Sequence, residues 1–191
     1  MIELNATVIR TQYANFEHLT AENVIFPTGL NACDSNENLV IGANNGSALT
    51  TGTQNVLLGC ASGTILTSGS YNILVGGNTG ISLTTSSDNV AVGFNALGAA
   101  TTGANNVAVG SGCLDELTTS NDNVAVGFNA LGAATTGANN VAVGSGCLDA
   151  LTTSNDNVAV GFNALGAATT GANNVAVGSG CLDALTTSND N

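Results

Sequence analysis

Short bursts of aliphatic residues punctuate a polar, glycine-rich chain, and from Asn38 onward they keep a fixed interval. A five-residue pattern recurs every seventeen residues: Asn, an aliphatic residue, an aliphatic residue or Ala, an aliphatic residue, then Gly. The opening asparagines are Asn38, Asn55, Asn72, Asn89, Asn106, Asn123, Asn140, Asn157 and Asn174, and Asn191 would open a tenth unit. Counting Asn as position one, position five is Gly42, Gly59, Gly76, Gly93, Gly110, Gly127, Gly144, Gly161 and Gly178. Position thirteen is Thr50, Thr67, Thr84, Thr101, Thr118, Thr135, Thr152, Thr169 and Thr186. Self-similarity at a short period is the signature of stacked repeats, since loop lengths this constant suit identical rungs and not a globular domain.

Each rung predicts one short strand at positions two to four, ended by a glycine free to take positive φ. Positions six to eleven form a second limb, and Thr-Thr at thirteen and fourteen leads back to the next Asn. No apolar spacing of 3.6 persists between the glycines, so helix is not expected. Seventeen residues at about 3.3 Å each give a contour of about 56 Å, enough for one small coil with two or three sides. The fold expected is all-β: a β-solenoid, or β-roll, of seventeen-residue rungs. Positions two and four share a face and are expected to line the coil. Position three (Val40, Leu57, Leu74, then Ala91 and its equivalents) points the other way, yet none is polar. Apolar residues on both faces of a strand predict that both are covered, one by the chain's own coil and one by another copy, most simply in a homotrimer.

Two levels of repetition lie within the array. Residues 89–190 are three copies of a 34-residue pair of rungs that differ only where Glu116 is followed by Ala150 and Ala184. The three rungs from Asn38 to Asp88 share the skeleton with individual decoration. Residues 1–37 stand apart as an N-terminal cap or attachment segment, and 38–191 as the array. Residues 1–37 carry the chain's single Arg, single His and single Pro. Alternation at Ile2, Leu4, Ala6 and Val8 predicts one strand there, and Val24-Ile25-Phe26 a second.

Composition narrows the function classes. One Lys or Arg stands against thirteen Asp and Glu, for a formal net charge of −12. Such a chain lacks the basic clusters that neutralise phosphates, so nucleic acid is not an expected partner. No apolar run approaches the roughly 18 residues of a membrane helix, and the N-terminus lacks the basic start and apolar centre of a secretory signal.

Of the five cysteines, Cys113, Cys147 and Cys181 recur two rungs apart, about 9–10 Å, beyond disulfide reach. They read as free, small apolar core residues. His18 has no Ser or Cys partner in a nucleophile pattern and no phosphate-binding glycine motif precedes a helix, so neither an enzyme nor a cofactor is expected. Asp122, Asp156 and Asp190 sit in Ser-Asn-Asp-Asn turns of a composition that suits calcium, although one carboxylate per two rungs is sparse for six to eight oxygen ligands. Phe94, Phe128 and Phe162 recur on alternate rungs as a candidate sugar-binding row, a core filler or an interchain seam. The Asn column predicts stacked side-chain amides, and the Thr column a β-branched ladder or an ice-binding surface.

The Asn-Val-Ala-Val-Gly units, followed by Ala-Leu and Thr-Thr-Gly, resemble the repeats of viral and phage tail-fibre proteins. They are also similar to the β-roll heads of trimeric autotransporter adhesins. The resemblance spans Asn38 to Asn191. It implies a trimeric fibre exposed on a virion or in an extracellular setting, often adhesive toward a host receptor or glycan. The missing secretory signal and membrane-barrel segment favour the virion version over a bacterial surface adhesin head.

Overall fold

A computed structural model describes residues 33–191; the expected strands at Ile2–Val8 and Val24–Phe26, with Arg10, His18 and Pro27, lie outside the described residues. Each repeat contributes one strand: β1 (Leu39–Ile41), β2 (Val56–Cys60), β3 (Ile73–Gly77), β4 (Val90–Val92), β5 (Val107–Val109), β6 (Val124–Val126), β7 (Val141–Val143), β8 (Val158–Val160) and β9 (Val175–Val177). They form one parallel sheet in sequence order. Every pairing sets a residue against its equivalent seventeen positions later, as Val56 against Ile73 and Val107 against Val124. The protein is a parallel β-solenoid with no helix among the described residues.

Backbone bonds join rungs all the way round the coil, not only at the strands. The position-two amide donates to the carbonyl of the next Asn, as from Val107 to Asn123 at 2.8 Å. The Thr101 amide reaches the Thr118 carbonyl at 2.8 Å, and the Asp88 amide reaches back to the Ser70 carbonyl at 3.0 Å. A coil this narrow closes only because several residues turn with positive φ. Position five is Gly by necessity: Gly127 has φ 135°, and a Cβ there would lie 2.5 Å from the Gly144 carbonyl carbon of the next rung. Position seventeen is also left-handed, from Tyr71 (61°) through Asp88 (61°) to Asp122 (62°). Its Asn and Asp residues suit that region because short polar side chains tolerate it best.

The interior reverses the expected facing of the strand. Position three points into the coil: Leu57, Leu74, Ala91, Ala108, Ala125, Ala142, Ala159 and Ala176 are all fully buried. Positions two and four point outward, half-buried or exposed along the whole sheet. Position one shares the inner face with position three, and its asparagines are buried at 1% exposure or less from Asn38 to Asn174. The physical reason is hydrogen bonding: a buried amide whose partners are all met costs little, so a polar column can occupy the centre while Val faces outward.

Two recipes fill the same interior. Rungs two and three place Leu57 and Leu74 at position three and Gly63 and Gly80 at position nine. From Asn89 onward Ala occupies position three and Leu97, Leu114, Leu131, Leu148 and Leu165 fill position nine, all buried. A Cβ on Gly80 would stand 3.1 Å from Leu74 Cδ1, so the two sites share one volume. The later leucines hold φ of 50–54°. That conformation costs roughly 1–2 kcal/mol, which burial of a Leu side chain at about 1.5–3 kcal/mol offsets.

Candidate functional surface

The central feature is the asparagine column. Each Asn Oδ1 accepts two bonds from the next Asn, one from its backbone N–H at 2.9–3.1 Å and one from its Nδ2 at 2.8–3.2 Å. The Nδ2 group also donates to the position-fifteen carbonyl of its own rung, for example Asn106 to Ser120 and Asn123 to Gly137, both at 2.9 Å. The column therefore ties each rung to its neighbour and closes each rung on itself. Asn191 extends it, bonding Asn174 Oδ1 through both its N–H and its Nδ2.

At the other end, Asp34 takes the place of a preceding asparagine. Its Oδ1 accepts from the Asn38 backbone N–H at 2.9 Å, and both carboxylate oxygens accept from Asn38 Nδ2 at 3.1–3.2 Å. The Asn38 N–H bond, with smaller help from the Asn38 side chain and the Asn36 N–H, holds the Asp34 carboxyl below its ordinary range, against a raising effect of burial. Nothing local in the sequence marks this carboxylate out from the other acids.

The threonine column is a second ladder. Thr50, Thr67, Thr84, Thr101, Thr118, Thr135, Thr152 and Thr169 each donate their hydroxyl to the carbonyl of the next Thr at 3.0–3.2 Å. These hydroxyls are spent on holding rungs together; position fourteen, as at Thr102, Thr119 and Thr136, is the exposed row. Cys113 and Cys147 are buried, and Cys181 is half-buried, all with free thiols. The thiols of Cys113 and Cys147 donate to the carbonyls of Gly127 and Gly161, the role Ser62 Oγ plays toward Gly76. Burial is the main cause that pushes both thiols above their ordinary pKa. Cys33 and Cys60 are exposed.

The outer surface carries two kinds of column. Asp122, Asp156 and Asp190 are exposed at position seventeen and alternate with Asn105, Asn139 and Asn173. Asn139 Nδ2 donates to Asp156 Oδ1 at 3.2 Å and Asn173 Nδ2 to Asp190 Oδ1 at 3.1 Å. The three aspartates do not converge, and among the described residues no group of three or more His, Cys, Asp or Glu comes together as metal ligands. Asp115 and Asp149 alternate in the same way with Gly98, Gly132 and Gly166 at position ten. Burial is the first cause raising both carboxyls, and the neighbouring Glu116 adds to it at Asp115. The two-rung period thus has a physical sense: a carboxylate in every rung would place like charges about 4.8 Å apart.

The outer columns at positions two and four are aliphatic, and position six alternates Phe with Ser from Phe94 onward. Ile41, Leu58 and Ile73 are 40–48% exposed, and Phe94, Phe128 and Phe162 are 61–65% exposed. The phenylalanines fill no core in their own coil. A period of two groups these residues without saying which group closes the coil, so the pattern alone turns inward the valines that the structure turns out. Among the described residues there is no pocket, and no helix is long and apolar enough to cross a membrane. No family model, curated protein or solved structure matches this chain.

Proposed function

We propose that this protein is the shaft of a rigid, surface-exposed fibre, built from three parallel copies and carried on a virion. The observation that carries the reading is the unbroken register: nine strands pair in sequence order without one insertion, and two side-chain ladders, a buried Asn column and a half-buried Thr column, run along them. Such a stack resists bending because every rung is bonded to the next around its circumference, and its length is proportional to its number of rungs. The resemblance of the Asn-Val-Ala-Val-Gly units to tail-fibre repeats supports the virion setting. The N-terminal segment would serve as the attachment to the particle, and host adhesion would belong to a surface of the same rod.

Electron microscopy of the full chain tests this reading. Each added 34-residue pair should lengthen the particle by about 9.6 Å at constant width; a particle that thickens instead would overturn it. A bacterial adhesin head is the nearest alternative, and binding on a glycan array would favour it. An ice-binding surface is the weaker rival, because the position-thirteen hydroxyls are committed to carbonyls and leave one exposed Thr row. Thermal hysteresis would be required to sustain it.

A further inference from the structure

We propose that the outward face made by positions two, four and six is the seam along which copies of this chain pack, the reverse of the face that the strand pattern alone suggests. The inference rests on the fibre reading only for its choice of partner; the face itself is defined by the coil. Nine strands at about 4.8 Å spacing make a strip about 38 Å long. Two side-chain columns, flanked by the Phe94–Phe128–Phe162 row, give it a width of about 11 Å and a footprint of about 400 Å² per chain. A contiguous apolar strip of that size on an otherwise polar surface marks an interaction site. Two such faces together bury about 800–900 Å² of footprint, the size of a weak contact for an isolated pair, and three chains meeting on one axis bury about 1,200–1,300 Å² across the shared seam.

The placement of charge fits a second copy as the occupant. The chain carries −12 overall, so two copies repel wherever their acidic columns meet. Positions two, four and six hold no charged residue in any rung: they are Val, Ile and Leu at two and four, and Ala, Cys, Gly, Phe or Ser at six. Carboxylates sit instead in columns ten, eleven and seventeen, as Asp115, Glu116 and Asp122. The strip is therefore the aliphatic surface on which identical acidic chains can approach without opposed charges. A second copy also carries the same rung spacing, so it matches all nine strands at once, which an unrelated flat partner does only by accident.

The test is the native mass of the full chain by light scattering, with the fold followed by circular dichroism. Wild-type protein should have the mass of several copies, and Val109→Asp combined with Val126→Asp should reduce it to one copy while the β spectrum persists. Thr119→Asp with Thr136→Asp places the same charges on the exposed Thr row and should leave the assembly intact. If the aspartate pair prevents folding, Val109→Thr with Val126→Thr keeps the shape, and the concentration for half-dissociation should rise at least tenfold. A single-copy wild type overturns the seam and the three-copy count with it, whereas the rod of stacked rungs stands or falls separately on the microscopy. An assembly indifferent to the valine variants, or one dissolved by the threonine-row variant alone, overturns it as well.

Discussion

Replacing one asparagine of the buried column is the sharpest test of what holds the stack. Asn123 is fully buried; its Nδ2 donates to Asn106 Oδ1, Asn121 O and Gly137 O, and its Oδ1 accepts from Asn140 N and Nδ2. In Asn123→Ala most partners find another bond. Gly137 O still accepts from Ser120 Oγ, Asn106 Oδ1 from the Asn123 N–H, and Asn140 Nδ2 reaches Ser154 O. The Asn140 backbone N–H alone is left without a partner, at a cost of about 1–3 kcal/mol, and the lost bonds add about 1 kcal/mol or more. The expected destabilisation is about 2–4 kcal/mol, read as a lower urea midpoint with fitted slope. Thr136→Ala, on the exposed row and outside the ladder, should cost under about 0.5 kcal/mol. Asn123→Asp sharpens the test, since a carboxylate there would face the acceptors Asn106 Oδ1 and Gly137 O. Its folded pKa would be raised, so its stability should be best at acid pH and fall as pH rises through that value. A loss below about 1 kcal/mol in Asn123→Ala, or no pH dependence in Asn123→Asp, would refute the claim that the column secures the rungs.

Three further predictions follow from the packing and the charges. Leu74→Ala should cost about 2–5 kcal/mol in thermal or urea melts. Adding Gly80→Leu should recover part of that, because the two sites share one volume; a double variant no better than the single one would separate them. Asp34 has a lowered folded pKa, so its bonds to Asn38 contribute stability above the ordinary carboxylate range, and that stability is lost as pH falls through the folded value. Protection of the Asn38 amide, its exchange measured against the intrinsic rate at each pH, should fall there in the wild type and hold in Asp34→Asn, which keeps the acceptor; equal acid sensitivity in both would count against the cap. Deleting residues 140–173, one whole pair, should leave stability per rung unchanged. Deleting 123–139 sets Asp122 over Asp156 and Asp115 over Asp149, a penalty of about 1 kcal/mol per pair at neutral pH that acid should relieve. Identical melts for the two deletions would show that the two-rung alternation is indifferent to charge.

Much of the fold is legible along the chain. The spacing of Asn38 to Asn191 dictates the register, since only stacked rungs place every seventeenth residue in one column. The invariant glycines at position five announce the tight approach that Gly127 makes to Gly144. The Asn and Thr ladders follow from the same spacing. The cap at Asp34 was hidden, because nothing local distinguishes its carboxylate from the other acids until its oxygens are seen on Asn38. The leucines at position nine were also opaque, because a left-handed Leu is unfavourable by itself and is held only by the core it fills.

The facing of the strand belongs to the tertiary structure alone. Local pattern establishes that Asn123 and Ala125 share one side and Val124 and Val126 the other. By transfer energy alone, the valines would go inside. Closing the coil reverses that order: the turn carbonyls and the next Asn satisfy every polar atom of the Asn123 amide inside the coil, a saving no local pattern contains. The outward valines and phenylalanines, and the surface they offer, are the consequence.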